Sequence, residues 1–157
     1  MATSALSNMS SDLIWEVVRN NNSYLYKSKK NGGIQLSRDP LNLTNNHSRK
    51  YAGFVNDKAI GVVPGEKGGV VVLSKKVSVA TKPAQAVVKT TIGGGKSNRK
   101  TYKAVASQTA KTGYRPDLLS VAVERASAIK KSQTPVKADP EPKLRGKKAK
   151  KAAEESS

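Results

Sequence analysis

The sequence has no cysteine. That excludes disulfides, thiolate metal sites and zinc fingers that need thiolates. Its one histidine, His47, lies in the polar run Thr44-Asn45-Asn46-His47-Ser48. A lone histidine cannot build a histidine metal cluster, and a solvated or RNA-facing loop is its expected place. Aromatic residues are only 4% of the chain and hydrophobic residues 36%. The core must therefore be small. No apolar run approaches the roughly 20 residues of a membrane span. Residues 1–9 are small and polar, without the apolar centre of a signal peptide. The expectation is a soluble chain made in the cytosol. The sequons Asn42-Leu43-Thr44 and Asn46-His47-Ser48 are then chance matches.

Acidic residues are scarce as well. Eleven Asp and Glu stand against 29 Lys and Arg, for a formal net charge of +18. Self-repulsion at that charge opposes compaction unless a polyanion neutralises it. Part of the 157-residue chain is expected to order only on its partner. The cations are spread along the chain, not gathered on one amphipathic anchor with large apolar residues opposite. That distribution favours nucleic acid over an acidic membrane surface.

The stretch from Ser97 to Lys131 reads as two basic helices joined by Gly113-Tyr114-Arg115-Pro116. In the first, Tyr102, Val105, Ala106 and Ala110 form an apolar stripe. Lys96, Arg99, Lys100 and Lys103 recur at the same spacing on another face or its approach. Gly113 is placed to end this helix in a left-handed conformation. Pro116 opens the next, with Asp117 near its positive end. Leu118, Ala122, Arg125 and Ile129 form the second stripe, and Lys130 and Lys131 sit at the negative end.

Upstream, Ser10 and Ser11 can cap a helix whose buried face would be Leu13, Ile14, Val17 and Val18. Trp15 falls off that stripe, as a rim residue of the core or a base-stacking platform. Ser23 to Lys27 is a short strand, and Asn31-Gly32-Gly33 a turn. Lys27, Lys29 and Lys30 beside it form a solvated turn or a phosphate contact. Residues 36–48 read as a loop. The runs 58–63 and 70–75 flank a glycine-rich connection and make a β-hairpin. The continuous apolar run 70–73 suggests a strand covered on both faces, with the 12–19 helix on one. Residues 86–92 form another extended segment.

Gly93-Gly94-Gly95-Lys96-Ser97 then imitates a nucleotide-binding phosphate loop. The spacing fails, because Thr90 stands where a glycine is needed. The runs at 59–63 and 70–73 end in Pro64 and Ser74, not in a magnesium-binding Asp. What survives is a helix start beside Lys96 that can seat an RNA phosphate. No enzyme and no cofactor are expected.

Several stretches resemble the eukaryotic large-subunit ribosomal protein twenty-eight family. They are Trp15 to Asn20 with Ser23, Leu25 and Lys27; Asn42-Leu43 before Ser48-Arg49-Lys50-Tyr51; Lys58 to Val62; Gly69 to Val72; Tyr114-Arg115-Pro116-Asp117-Leu118; and Arg125 to Ile129. They fall in order over residues about 12 to 135. Leu119 and Glu124 depart from the more basic pattern expected there. The stretch after Ile92 is also unusually rich in glycine.

The resemblance implies a structural constituent of the cytosolic 60S subunit, reached through the nucleus and nucleolus for assembly. Its partners would be large-subunit rRNA and neighbouring ribosomal proteins, with no membrane and no small-molecule substrate. The expected RNA contacts are Arg19, Lys27, Arg49, Lys50, Lys96, Arg99, Lys100, Lys103, Arg115 and Arg125. Arg19, Arg49 and Arg115 lie in matched motifs; the others rest on charge and spacing. A ribosome-assembly factor binding pre-rRNA is the alternative, although such factors carry cysteines and a long acidic extension. A DNA-reading helix-turn-helix over 97–131 is permitted by the short glycine connection, but lacks exposed polar base-readers.

The expected fold class is α+β: a small antiparallel sheet over residues 24–92, an N-terminal helix, two C-terminal basic helices and disordered basic tails. The expected organisation is a leader at 1–10, an RNA-binding domain at 11–132 and a low-complexity tail at 133–157. In the tail, Pro135, Pro140 and Pro142 break any continuous helix. Its run from Lys143 to Lys151 is a solvated tail, an arm that orders on RNA, or a nuclear import signal.

Overall fold

A computed structural model of the chain describes residues 9–30, 32–79, 82–111, 113–140 and 145–155. Residues 1–8 of the 1–10 leader and the start of the tail's basic run at Lys143 lie outside the described residues. In chain order the elements are α1 (Ser11–Val18), β1 (Leu25–Lys27), β2 (Gln35–Ser37), β3 (Ile60–Pro64), β4 (Gly69–Lys75), α2 (Pro83–Ala86), β5 (Val87–Gly93), α3 (Asn98–Ala106), α4 (Leu119–Ser132) and α5 (Lys147–Glu155). The class is α+β, as the order of helices and strands implies.

Two antiparallel sheets replace the single expected one: a ribbon of β1 and β2, and a sheet ordered β3-β4-β5. β2 overlaps the start of the stretch read as a loop, 36–48. Its three residues are too few and too polar to show a period, and pairing with β1 makes it a strand. The β3–β4 hairpin forms as read, with Val62 opposite Val72. Val70 lies opposite both Pro64 and Ile92 across the three strands.

Side chains alternate across a strand. Ile60, Val62, Val70, Val72 and Ile92 therefore point to one face and are buried with Leu118, Ala122, Ala126 and Val105. α4 packs on β3 and β4, and α3 packs on α4. The helix over β4 is thus α4 and not α1, which overturns the sequence expectation. On the opposite face, Val63, Val71, Leu73, Lys89 and Thr91 line an open depression with Pro40. The chain at Pro40 and Leu41 presses on this side: a Cβ at Gly61 would lie 2.1 Å from Pro40 O.

α1 begins as expected, with Ser10 Oγ accepting from Leu13 N at 3.2 Å. Its buried face is shifted: Ile14 and Val18 pack as expected, but Trp15 takes the place of Leu13 and Val17. Trp15 is 9% exposed, while Leu13 is 52% and Val17 70% exposed. Ile14 and Val18 join Trp15 against Ala52, Val55 and Phe54 in a second, smaller core. Burial leaves Trp15 no base-stacking role. One aromatic ring here covers what a Leu–Val stripe would have covered.

α3 also differs from its expected stripe. Thr101, Val105 and Thr109 are the fully buried positions. Both threonines satisfy their hydroxyls on the preceding turn, Thr101 to Ser97 O at 3.1 Å and Thr109 to Val105 O at 2.8 Å. α3 then widens into a π-helical turn, Ser107–Lys111. Gly113 follows at φ 63°, the left-handed stop its position suggested. A 3-10 turn, Pro116–Leu118, leads into α4. In the stretch read as a structureless tail, α5 forms beyond the prolines. Its Lys- and Ala-rich sequence favours helix.

Candidate nucleic-acid interface

α3 buries one stripe against α4, so its opposite side must face water. Lys96, Arg99, Lys100 and Lys103 are all exposed there. Arg99, Lys100 and Lys103 share one face of α3, and Lys96 lies in the turn just before the helix. None of the four side chains has a hydrogen-bond or ion-pair partner among the described residues. Ser97 precedes the helix without a side-chain cap. The first N–H groups therefore point outward beside Lys96 and add positive potential.

The glycine loop that launches α3 is held from behind by the end of α4. Lys130 Nζ donates to Gly94 O at 2.9 Å and to Lys96 O at 3.4 Å. Gln133 reaches the start of β4, accepting from Gly69 N at 2.8 Å and donating to Gly69 O at 2.7 Å. Gly69 adopts φ 83°, and a Cβ there would meet Ile92 O at 2.2 Å. Sequence reasoning recognised Lys130 only as a helix-end cation and placed Gln133 at the head of the tail. No local pattern marks partners that lie 34 and 36 residues away for Lys130 and 64 for Gln133.

The other expected contact residues divide into two groups. Arg125 is half-buried and donates to Val62 O at 3.1 Å and Leu43 O at 3.2 Å. Arg115 forms a bidentate pair with Asp117, both contacts 2.8 Å, and donates to Lys58 O at 2.8 Å. That pairing holds the Asp117 carboxyl below the usual carboxylate range. Arg49 pairs with Asp12 at 2.8 Å and donates to Ser11 Oγ at 2.7 Å and to Asn56, tying α1 to the 48–56 segment. These three guanidiniums are engaged within the protein.

Arg19, Lys27 and Lys50 are exposed with looser ties. Arg19 pairs with Glu16 at 3.2 Å, Lys27 Nζ donates to Asn20 O at 2.8 Å, and Lys50 lies 5.6 Å from the Tyr51 ring centre. Such exposed contacts are weak, so these cations remain exchangeable. His47 sits in none of these groups. Its Nε2 meets Arg19 O at 2.6 Å, and its ring lies 4.9 Å from Trp15. It closes the end of α1, where the helix carbonyls lack partners.

The described residues hold no group of three or more His, Asp or Glu side chains suited to a metal, and no helix among them is long and apolar enough to cross a membrane. A solvent-facing cation row on a braced helix can neutralise closely spaced negative charge; it offers no acid–base pair or nucleophile of its own.

The model of the ribosomal L28e protein family matches residues 13–132. The large ribosomal subunit protein eL28 of Schizosaccharomyces pombe is 45% identical over 130 residues, covering 82% of this chain and 96% of that protein. The eL28 of Dictyostelium discoideum is 39% identical over 121 residues, 77% of this chain and 86% of its own length. That of Trypanosoma cruzi is 37% identical over 117 residues, 74% and 73% of the two chains. The matched span runs from α1 to the end of α4 and so includes both cores, the braced glycine loop and the cation row. With that much of the sequence matched, the chain belongs to the ribosomal L28e protein family, a ribosomal protein and not an enzyme.

Proposed function

We propose that this chain is a structural constituent of the large subunit of the cytosolic ribosome, where it binds and stabilises folded rRNA. The observation that carries this reading is the row Lys96, Arg99, Lys100 and Lys103, exposed and without internal partners on a helix anchored by Lys130. Phosphate neutralisation supplies the affinity, and the rigid presentation of charge selects RNA shape over base sequence. Arg19, Lys27 and Lys50 add exchangeable contacts from the α1 side. Arg49, Arg115 and Arg125 contribute by holding the elements in place. Neighbouring ribosomal proteins complete the surroundings, and assembly proceeds through the nucleolus. The names of the relatives, each a large-subunit protein, support the particle.

Two measurements test this. Ribosomes pelleted through a high-salt sucrose cushion should retain the protein, and its absence from them would refute the structural role. Replacing Lys100 and Lys103 together by Ala should weaken RNA binding and flatten its salt dependence by up to about two units of slope. An unchanged slope would place this face away from phosphate.

A further inference from the structure

The β1–β2 ribbon carries a second surface that the α3 row does not use. Register sets Tyr26 opposite Leu36, so these two side chains share one side of the ribbon. The pairing continues past both strand ends, with Ser28 N donating to Ile34 O at 3.0 Å and Arg38 N to Tyr24 O at 2.9 Å. By alternation, Tyr24, Ile34 and Arg38 lie on the same side. That side changes character along its length. Tyr24 packs inward on Phe54, with ring centres 5.4 Å apart. Tyr26 and Ile34 are 44% and 46% exposed.

Tyr26 is the only exposed aromatic among the described residues. The Arg38 guanidinium carbon sits 5.0 Å from its ring centre. Arg38 is itself exposed, and no carboxylate pairs with it among the described residues. Its planar cation is therefore presented on an aromatic support with its outer face open. Lys29 and Lys30, both exposed, continue from the end of β1.

We propose that Tyr26 and Arg38 form a stacking site for one unpaired nucleobase of RNA. The proposal rests on the RNA-binding reading above and adds a second, chemically different contact. An unpaired base presents a π face that stacks on a guanidinium plane or a tyrosine ring. Ile34 offers apolar surface to the edge of the base, and Lys29 and Lys30 face the phosphates on either side. A base within a duplex keeps both faces covered by its neighbours and cannot enter. Charge selects the occupant: Arg38 on the ring and two exposed lysines just past the end of β1 suit a base flanked by phosphates better than an apolar protein segment.

The test uses the full chain with two RNAs of equal length, a single strand of about 12 nucleotides and the corresponding duplex, at one salt concentration. Stacking tolerates any base, so a mixed sequence serves. Tyr26→Ala is expected to weaken single-strand binding roughly 5- to 100-fold while leaving duplex binding within about two-fold. Tyr26→Phe should bind both RNAs like the parent. Arg38→Lys keeps the charge but loses the plane, and should fall between parent and Tyr26→Ala on the single strand. Far-UV circular dichroism confirms that each variant is folded. Single-strand affinity unchanged by Tyr26→Ala, or equal loss on both RNAs, would overturn the stacking site; the exposed pair would then be a protein contact or a support for the ribbon. Failure of the underlying reading looks different: the parent would show no salt-dependent binding to either RNA, and Lys100→Ala with Lys103→Ala would change nothing.

Discussion

Tyr114→Phe isolates one hydroxyl that joins three parts of the fold. The Tyr114 hydroxyl donates to Lys75 O at 2.5 Å and accepts from Ala59 N at 3.2 Å. It therefore fastens the turn before α4 to the open end of the β3–β4 hairpin. Phenylalanine keeps the ring and removes both bonds. Ala59 is 2% exposed, so its freed N–H has little access to water. A buried donor left unsatisfied costs about 1–3 kcal/mol. For a domain of this size that lowers Tm by roughly 3–15 °C.

Urea unfolding at neutral pH, followed by circular dichroism, measures the loss directly. The pH dependence adds a second check. Burial raises the Tyr114 phenol above its usual 10.0, the largest cause of its shift. A group whose folded pKa is raised contributes stability that is present below the unfolded value and lost as pH rises through the folded one. The gap between parent and variant should therefore be full at neutral pH and shrink above about pH 10. Lys75 acts in the opposite sense. Burial lowers its pKa below 10.5 despite Asp57 and Asp39, so its charged form opposes folding and the cost fades as pH rises. Only the difference between the two proteins separates the tyrosine from the lysine. A variant within about 0.5 kcal/mol of the parent, or a gap that stays constant into alkaline pH, would refute the fastening role.

Gly69→Ala should destabilise the protein more than Gly68→Ala. Both glycines have positive φ, costing alanine about 1–2 kcal/mol, but only at Gly69 would a Cβ strike backbone, at Ile92 O, Gly94 N and Gly93 C. Equal urea midpoints for the two variants would remove the case for close β4–β5 approach beneath the α3 loop. Arg125→Leu leaves the carbonyls of Val62 and Leu43 without a donor, and should cost about 1–3 kcal/mol in thermal unfolding. The salt slope of RNA binding should not change. A slope lower by about one unit with stability intact would make Arg125 a phosphate contact instead.

The residues that could be placed from local pattern were those whose neighbours in the chain decide their state. Gly113 ends a helix because a left-handed position suits glycine, and Pro116 starts the next turn because its fixed φ suits a first helical position. The β3–β4 hairpin is legible from β-branched runs around glycine. α1 was legible as a helix but not in its orientation. Leu13, Ile14, Trp15, Val17 and Val18 surround most of its circumference, so periodicity offers two candidate faces. The cluster of Ala52, Val55 and Phe54, far along the chain, selects the one bearing Trp15. The arginines were ambiguous for a similar reason. Charge and spacing cannot separate Lys100, which meets only solvent, from Arg125, which meets the carbonyls of Leu43 and Val62 across 82 and 63 residues.

By itself the sequence determined the class of fold, the excess of cations and hence the need for a polyanion, because composition and short-range periodicity are properties of the chain alone. It also carried the family, through landmarks spread from α1 to α4. Tertiary structure decided which cations are free. Packing α4 on the sheet draws Arg115 and Arg125 toward backbone carbonyls and carries Lys130 to the glycine loop. α3 is then turned so that Lys96, Arg99, Lys100 and Lys103 face water. A charge becomes available to a partner only when the folded chain gives it none, and that depends on contacts between residues distant in sequence.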